Sequence, residues 1–107
     1  MSNTLITLEE FQRLHEKLGT GEVVLDVRRE EEYSAGHIPK ALNIPVDQVA
    51  EKADELKKYT KIYIHCKRGG RAKTAFEALS VKGLTNLVCI HDAGMDLWHE
   101  KGYPIEF

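Results

Sequence analysis

Two cysteines, five histidines and a short run of cations are the residues of this 107-residue chain best able to carry covalent chemistry. They are not evenly spread. Cys66 is followed at once by Lys67, Arg68, Gly69, Gly70 and Arg71, and it is preceded by Lys61–Ile62–Tyr63–Ile64–His65, a run suited to a β-strand. Beyond the loop, Ala72–Lys73–Thr74–Ala75–Phe76–Glu77–Ala78–Leu79 reads as a helix. In a strand–loop–helix junction the unpaired N–H groups of the first helical turn point back into the loop, backed by the positive end of the helix dipole. Gly69 and Gly70 are expected to let the backbone curl so that further N–H groups converge. A thiol at the centre of such a cup, beside three positive charges, is expected to exist largely as thiolate near neutral pH. The same cup would hold an anionic substrate.

The remaining candidates divide by position. His65 precedes Cys66 in the strand, and adjacent strand residues point to opposite faces, so it is a poor base for that thiol. His91–Asp92 follows an apolar run near the same sheet edge. A Cys66–His91–Asp92 triad is conceivable, but a ready thiolate does not need one. Arg71 has two readings: a helix-start arginine that holds substrate or shapes the loop, or the partner of a neighbouring carboxylate. Lys67 and Arg68 are placed to face the opening and tune specificity. Cys89 lies in an apolar strand and reads as inert. The spacing gives a structural disulfide no support, which favours a reducing, cytoplasmic setting. No spacing among the histidines suggests a zinc set, and no cofactor is expected.

These residues need a scaffold, and the sequence pattern supplies one. Leu5–Ile6 reads as a short edge strand. Thr7 and Glu10 form a capping box, and Leu8, Phe11, Leu14, His15 and Leu18 recur at helical spacing, which predicts a helix over 8–18. The near-continuous apolar run 22–27 predicts a parallel strand covered on both faces. A charged helical turn over 28–34, anchored by Tyr33, and a turn at Gly36–Pro39 lead to a strand over 41–44. Asp47 is placed to cap a helix running through Lys57. Strands over 61–65 and 86–90 and helices over 72–81 and 94–101 complete the series. Alternating strands and helices with short links argue a parallel sheet with helices on both faces, in one domain spanning 1–107.

Composition narrows the partners. A hydrophobic fraction of 42% and a charged fraction of 30% are ordinary for a globular domain, and a net charge of −2 argues against a general nucleic-acid footprint. No apolar run approaches the ~20 residues of a membrane-spanning helix. Met1–Ile6 lacks the basic region and apolar core of a leader. Oligomeric state is left open.

Four segments, in order, resemble the single-domain rhodaneses, a sulfurtransferase family. Asp26–Val27–Arg28 with Glu31–Pro45 matches the family's first signature, and Cys66–Arg71 its active loop. Gly94–Met95–Asp96–Leu97–Trp98 and Gly102–Tyr103–Pro104 match its closing signature. The resemblance implies a three-layer α/β fold with a central five-stranded parallel sheet flanked by helices. It implies that Cys66 attacks the outer sulfur of thiosulfate or a related small anionic donor and releases sulfite. The resulting persulfide then passes its sulfur to cyanide or a thiol, with no cofactor beyond that transient persulfide. Lys67, Arg68, Gly69, Gly70 and Arg71 become the substrate-binding loop. Asp26 and Arg28 become framework, and His37 fastens its turn through ring hydrogen bonds.

The alternative is a persulfide carrier or regulatory module that delivers sulfur to a relay protein. A cysteine phosphatase or arsenate reductase is the weaker one. The phosphatase loop has one more residue between cysteine and arginine, and here the next position is Ala72. Lys40 stands where the family favours glycine, and Arg29 where glutamate is common; both read as surface changes that extend a basic rim. Ala93 stands where glycine is frequent and is expected to restrict one turn.

Overall fold

The runs that are apolar on both faces become the middle of the sheet. In the computed structural model, which describes residues 3–107, the strands are β1 (Thr4–Ile6), β2 (Glu22–Asp26), β3 (Ala41–Asn43), β4 (Lys61–His65) and β5 (Leu87–Ile90). They form a five-stranded sheet in the order β1-β5-β4-β2-β3, with every neighbouring pair parallel. Central β4 is buried from Ile62 to His65, and its register sets Leu25 beside Ile64 and Asp26 beside His65.

Alternation along the strands divides the core into two. Leu25, Ile62, Ile64, Cys66 and Cys89 face α4 (Gly70–Val81), the 3-10 segment Val46–Lys52 and α3 (Ala53–Leu56), meeting Ala75, Leu79, Val49 and Leu56. Val24, Tyr63, Val88 and Ile90 face α1 (Leu8–His15) and α5 (Met95–Glu100), meeting Phe11 and Trp98. The three layers expected from the alternation are therefore present, with α2 (Glu30–Ser34) at the rim. The chain leaves β2 toward β3 and leaves β4 toward β5, on opposite sides. The carboxyl ends of β2 and β4 thus flank the crevice where such sheets bind ligands.

Several local expectations change. Helix α1 stops at His15 rather than running to 18, with Glu16 as its C-cap. Its amino end is as expected: the Thr7 hydroxyl accepts from the Glu10 N–H at 3.1 Å, and Glu10 accepts from the Thr7 N–H at 2.9 Å. Asp47 does not cap a helix. Pro45, with its fixed φ of −54°, takes the cap position, and Asp47 falls inside the first turn of the 3-10 segment. Helix α4 begins two residues earlier than its apolar pattern suggests, at Gly70.

Lys40 is more than a surface change. Its φ is +73°, and it is the second central residue of a turn closed by the Ala41 N–H on the Ile38 carbonyl at 3.1 Å. A type II turn with proline first demands this left-handed conformation, which normally selects glycine.

The tail Tyr103–Phe107 packs back. Trp98 Nε1–H donates to the Pro104 carbonyl at 2.7 Å, and Glu106 pairs its backbone with His37. Among the described residues no helix is long and apolar enough to cross a membrane. Met1 and Ser2, the start of the segment read as lacking a leader pattern, lie outside the described residues.

Candidate active site

β4 delivers Cys66 to the sheet edge, and the chain then curls around it. Its sulfur accepts from the Gly69 N–H at 3.0 Å and from the Ala72 N–H at 3.3 Å, so backbone donors of the loop and of the first turn of α4 both face it. Gly69 makes this possible: its φ is +113°, and a Cβ there would lie 2.8 Å from the His91 carbonyl oxygen. Gly70 has no such role. It has open space where a Cβ would stand and starts α4, so the curl belongs to one glycine of the pair. Cys66 is 1% exposed, at the floor of a recess of about 420 Å³ walled by Lys67, Arg68, Gly70, Arg71 and Thr74.

The amino end of α5 holds the back of the loop. The Met95 N–H donates to the Cys66 carbonyl at 2.8 Å, and the Asp96 N–H to the Lys67 carbonyl at 3.2 Å. These bonds fix the Cys66 and Lys67 peptides, from which the chain turns so that the Gly69 amide meets the sulfur. Gly94 permits the approach, because a Cβ there would collide with the Cys66 carbonyl oxygen. The sequence marks 94 as part of a signature but not as a buttress.

Beneath the loop lies a buried ionic frame. Arg28 Nε and Nη2 grip the Asp26 carboxylate at 2.8–3.1 Å, and Nη2 also donates to the Gly36 carbonyl at 2.8 Å. Both residues are buried, so the pair is tolerable only because its hydrogen bonds are made. Asn43 Nδ2 caps the carbonyls of Asp26 and Arg28 at 3.0 and 2.9 Å. His37 Nδ1 bonds the Tyr33 carbonyl at 3.0 Å, and its ring stacks on that of Tyr33 at 3.8 Å, fastening the turn. His65 lies on the opposite face from Cys66, among the α1 side of the core, with its ring near Asp26 at 3.8 Å. Burial holds its pKa below the usual imidazole range.

The three loop cations differ. Arg71 takes the carboxylate reading: it grips Glu32 bidentately at 2.6 and 3.1 Å while still lining the Cys66 recess. The Arg71 hydrogen bonds hold Glu32 down to about 2. Arg68 makes a single exposed contact to Asp96 at 3.0 Å. Lys67 stands at the opening.

The other sulfur and the other histidine are occupied elsewhere. Burial pushes the Cys89 thiol up to about 11, and both cysteines are free. Asp92 accepts from the Leu8 N–H at 2.9 Å, capping α1, so it does not complete a triad; His91 meets the loop through its backbone carbonyl.

Residues 9–101 match the family described as Rhodanese-like domain. YrkF of Bacillus subtilis (strain 168), whose name is "Putative sulfur carrier protein YrkF", is 35% identical over 98 residues, 90% of this chain and 51% of that protein. The chain spans about half the length of the first curated relatives it matches. A rhodanese-related protein from Thermoplasma volcanium is 32% identical in sequence, with a TM-score of 0.80 over 96% of this chain and 97% of that one. The human single-domain sulfurtransferase TSTD1 is 25% identical, with a TM-score of 0.74 over 91% of this chain and 96% of that one.

Proposed function

The chain belongs to the rhodanese-like domain family, and we propose that it is a sulfurtransferase working through Cys66. One observation carries the reading: two backbone N–H groups converge on the Cys66 sulfur at 3.0 and 3.3 Å, at the amino end of α4. Such donors stabilise negative charge on sulfur without a general base, which suits a thiolate nucleophile and then a persulfide anion. The thiolate attacks the outer sulfur of thiosulfate or a related donor. The new S–S bond forms as the old one breaks, and the departing sulfite takes the electron pair. A thiol or cyanide then removes the sulfur and returns the thiolate, so no cofactor is consumed. Asp26, Arg28 and His37 hold the crevice; Lys67, Arg68 and Arg71 receive the donor. A reducing, cytoplasmic setting keeps the thiol competent.

Incubation with thiosulfate followed by intact-mass measurement should show the gain of one sulfur atom. Cyanide should discharge that atom as thiocyanate, and Cys66→Ser should abolish the gain. Wild-type protein that takes up no sulfur from any sulfane donor would overturn the reading.

A second reading, a carrier that hands its sulfur to a protein, is favoured by the likeness to a relative named as a sulfur carrier. A stable persulfide with negligible turnover on cyanide or small thiols would select it.

A further inference from the structure

His65 is fully buried, and the transfer steps above give it no task. Strand register places it beside Asp26 of β2. Its two ring nitrogens keep different company. Nδ1 lies 3.3 Å from the Cys66 carbonyl oxygen. Nε2 has no hydrogen-bond partner and lies 3.8 Å from Asp26 Oδ2. That carboxylate is already taken on both oxygens by the backbone N–H and the guanidinium of Arg28.

A neutral imidazole carries one ring proton, and these distances say where it goes. A carbonyl oxygen only accepts. A proton on Nδ1 therefore makes a hydrogen bond to Cys66. A proton on Nε2 would make none, because 3.8 Å is beyond hydrogen-bond reach, and it would leave the bare Nδ1 facing a carbonyl oxygen. Burial disfavours a second proton, with Asp26, Arg28 and His15 the charged or titratable groups about the ring. The proton thus sits on Nδ1, and Nε2 is left bare in the core, an uncommon arrangement in a folded chain.

The bond to Cys66 has a companion. From α5, the Met95 N–H reaches the same carbonyl oxygen at 2.8 Å. Two donors from two elements fix the Cys66–Lys67 peptide, and Met95 is the stronger of them by distance. From that peptide the chain turns to bring the Gly69 and Ala72 amides to the sulfur at 3.0 and 3.3 Å.

We propose that His65 is a positioning residue for the transfer: its Nδ1–H pins the Cys66 carbonyl and so helps to aim the loop amides at the sulfur. The inference rests on the sulfur-transfer reading above. His65 moves no proton in the reaction and does not touch the donor.

Two variants separate the ring nitrogens. The amide of an asparagine reaches the place of Nδ1 and keeps a donor on the Cys66 carbonyl. The amide of a glutamine reaches the place of Nε2 and faces Asp26 instead. His65→Asn should load sulfur from thiosulfate within about twofold of the wild type, and His65→Gln at least about threefold more slowly, by rapid quench and intact mass. In isotope-labelled protein the Gly69 and Ala72 amide resonances should hold their place in His65→Asn and move in His65→Gln. The tautomer is read on the wild type, from long-range nitrogen–proton correlations of the ring, and should show the proton on Nδ1 at neutral pH. A proton on Nε2, or equal loading by the two variants, overturns this inference while leaving sulfur transfer intact. The tautomer decides it even if neither variant folds. Wild-type protein that takes up no sulfur overturns the sulfur-transfer reading instead.

Discussion

Gly94 lies so close to Cys66 that a side chain at 94 would collide with the Cys66 carbonyl oxygen. The same approach lets the Met95 and Asp96 amides take the carbonyls of Cys66 and Lys67. The collision is with backbone, which has nowhere to go without unseating the loop. Gly94→Ala should therefore cost about 1–3 kcal/mol of stability and slow Cys66 persulfide formation by about tenfold or more. Denaturant unfolding and rapid-quench mass measurement check the two parts. A variant with the wild-type loading rate would show that α5 does not aim the loop.

The adjacent glycines of the loop should separate cleanly. Gly69→Ala places a Cβ at a φ of +113° and 2.8 Å from the His91 carbonyl oxygen, and should lose most persulfide formation together with about 1–3 kcal/mol. Gly70→Ala meets open space at the start of α4 and should fold at least as stably as the wild type, gaining up to about 1 kcal/mol. Equal losses from both changes would contradict this assignment.

Lys40 holds a left-handed conformation at φ +73°. That conformation costs a residue with a Cβ about 1–2 kcal/mol, part of which glycine gives back as unfolded-chain entropy. Lys40→Gly should raise the unfolding free energy by roughly 0.5–1 kcal/mol and leave sulfur transfer unchanged. Chemical denaturation decides it, and a drop in midpoint would count against strain at this turn.

The Arg71–Glu32 pair sets an acid limit. The folded Glu32 carboxyl titrates at about 2 against an ordinary 4.5, so the folded state binds its proton less readily than the unfolded chain. This contribution is fully present above about pH 4.5 and is lost as pH falls from there toward 2. Glu32→Gln should remove it: the stability gap between wild type and variant should be constant above pH 5 or so and narrow steadily below. Denaturant midpoints collected across that range test the sign, and a gap that widens with acid would refute the pairing.

Local signals in the chain carried the sheet and the nucleophile; contacts between distant segments did not show. The apolar runs 22–27 and 61–65 pointed to central strands because burial on both faces leaves a local mark. Thr7 and Glu10 likewise announced the start of α1. Cys66 stood out because cations and glycine followed it directly. Glu32 as the partner of Arg71 is a different matter. The two are far apart in the chain, and any of several acidic residues in that stretch would satisfy the pattern equally well. The buttressing by Gly94 and the capping of α1 by Asp92 are hidden for the same reason. Gly70 and Lys40 mislead in a complementary way, since the residue type alone does not say which backbone conformation the turn imposes.

The amides of α5 that support Cys66 come from a part of the chain synthesised well after the cysteine itself. A nascent polypeptide that has emerged from the ribosome only through α4 has its nucleophile but not the back wall that orients the loop around it. The loop that presents the nucleophile is thus finished by residues nearly thirty positions downstream of it, from Met95 and Asp96.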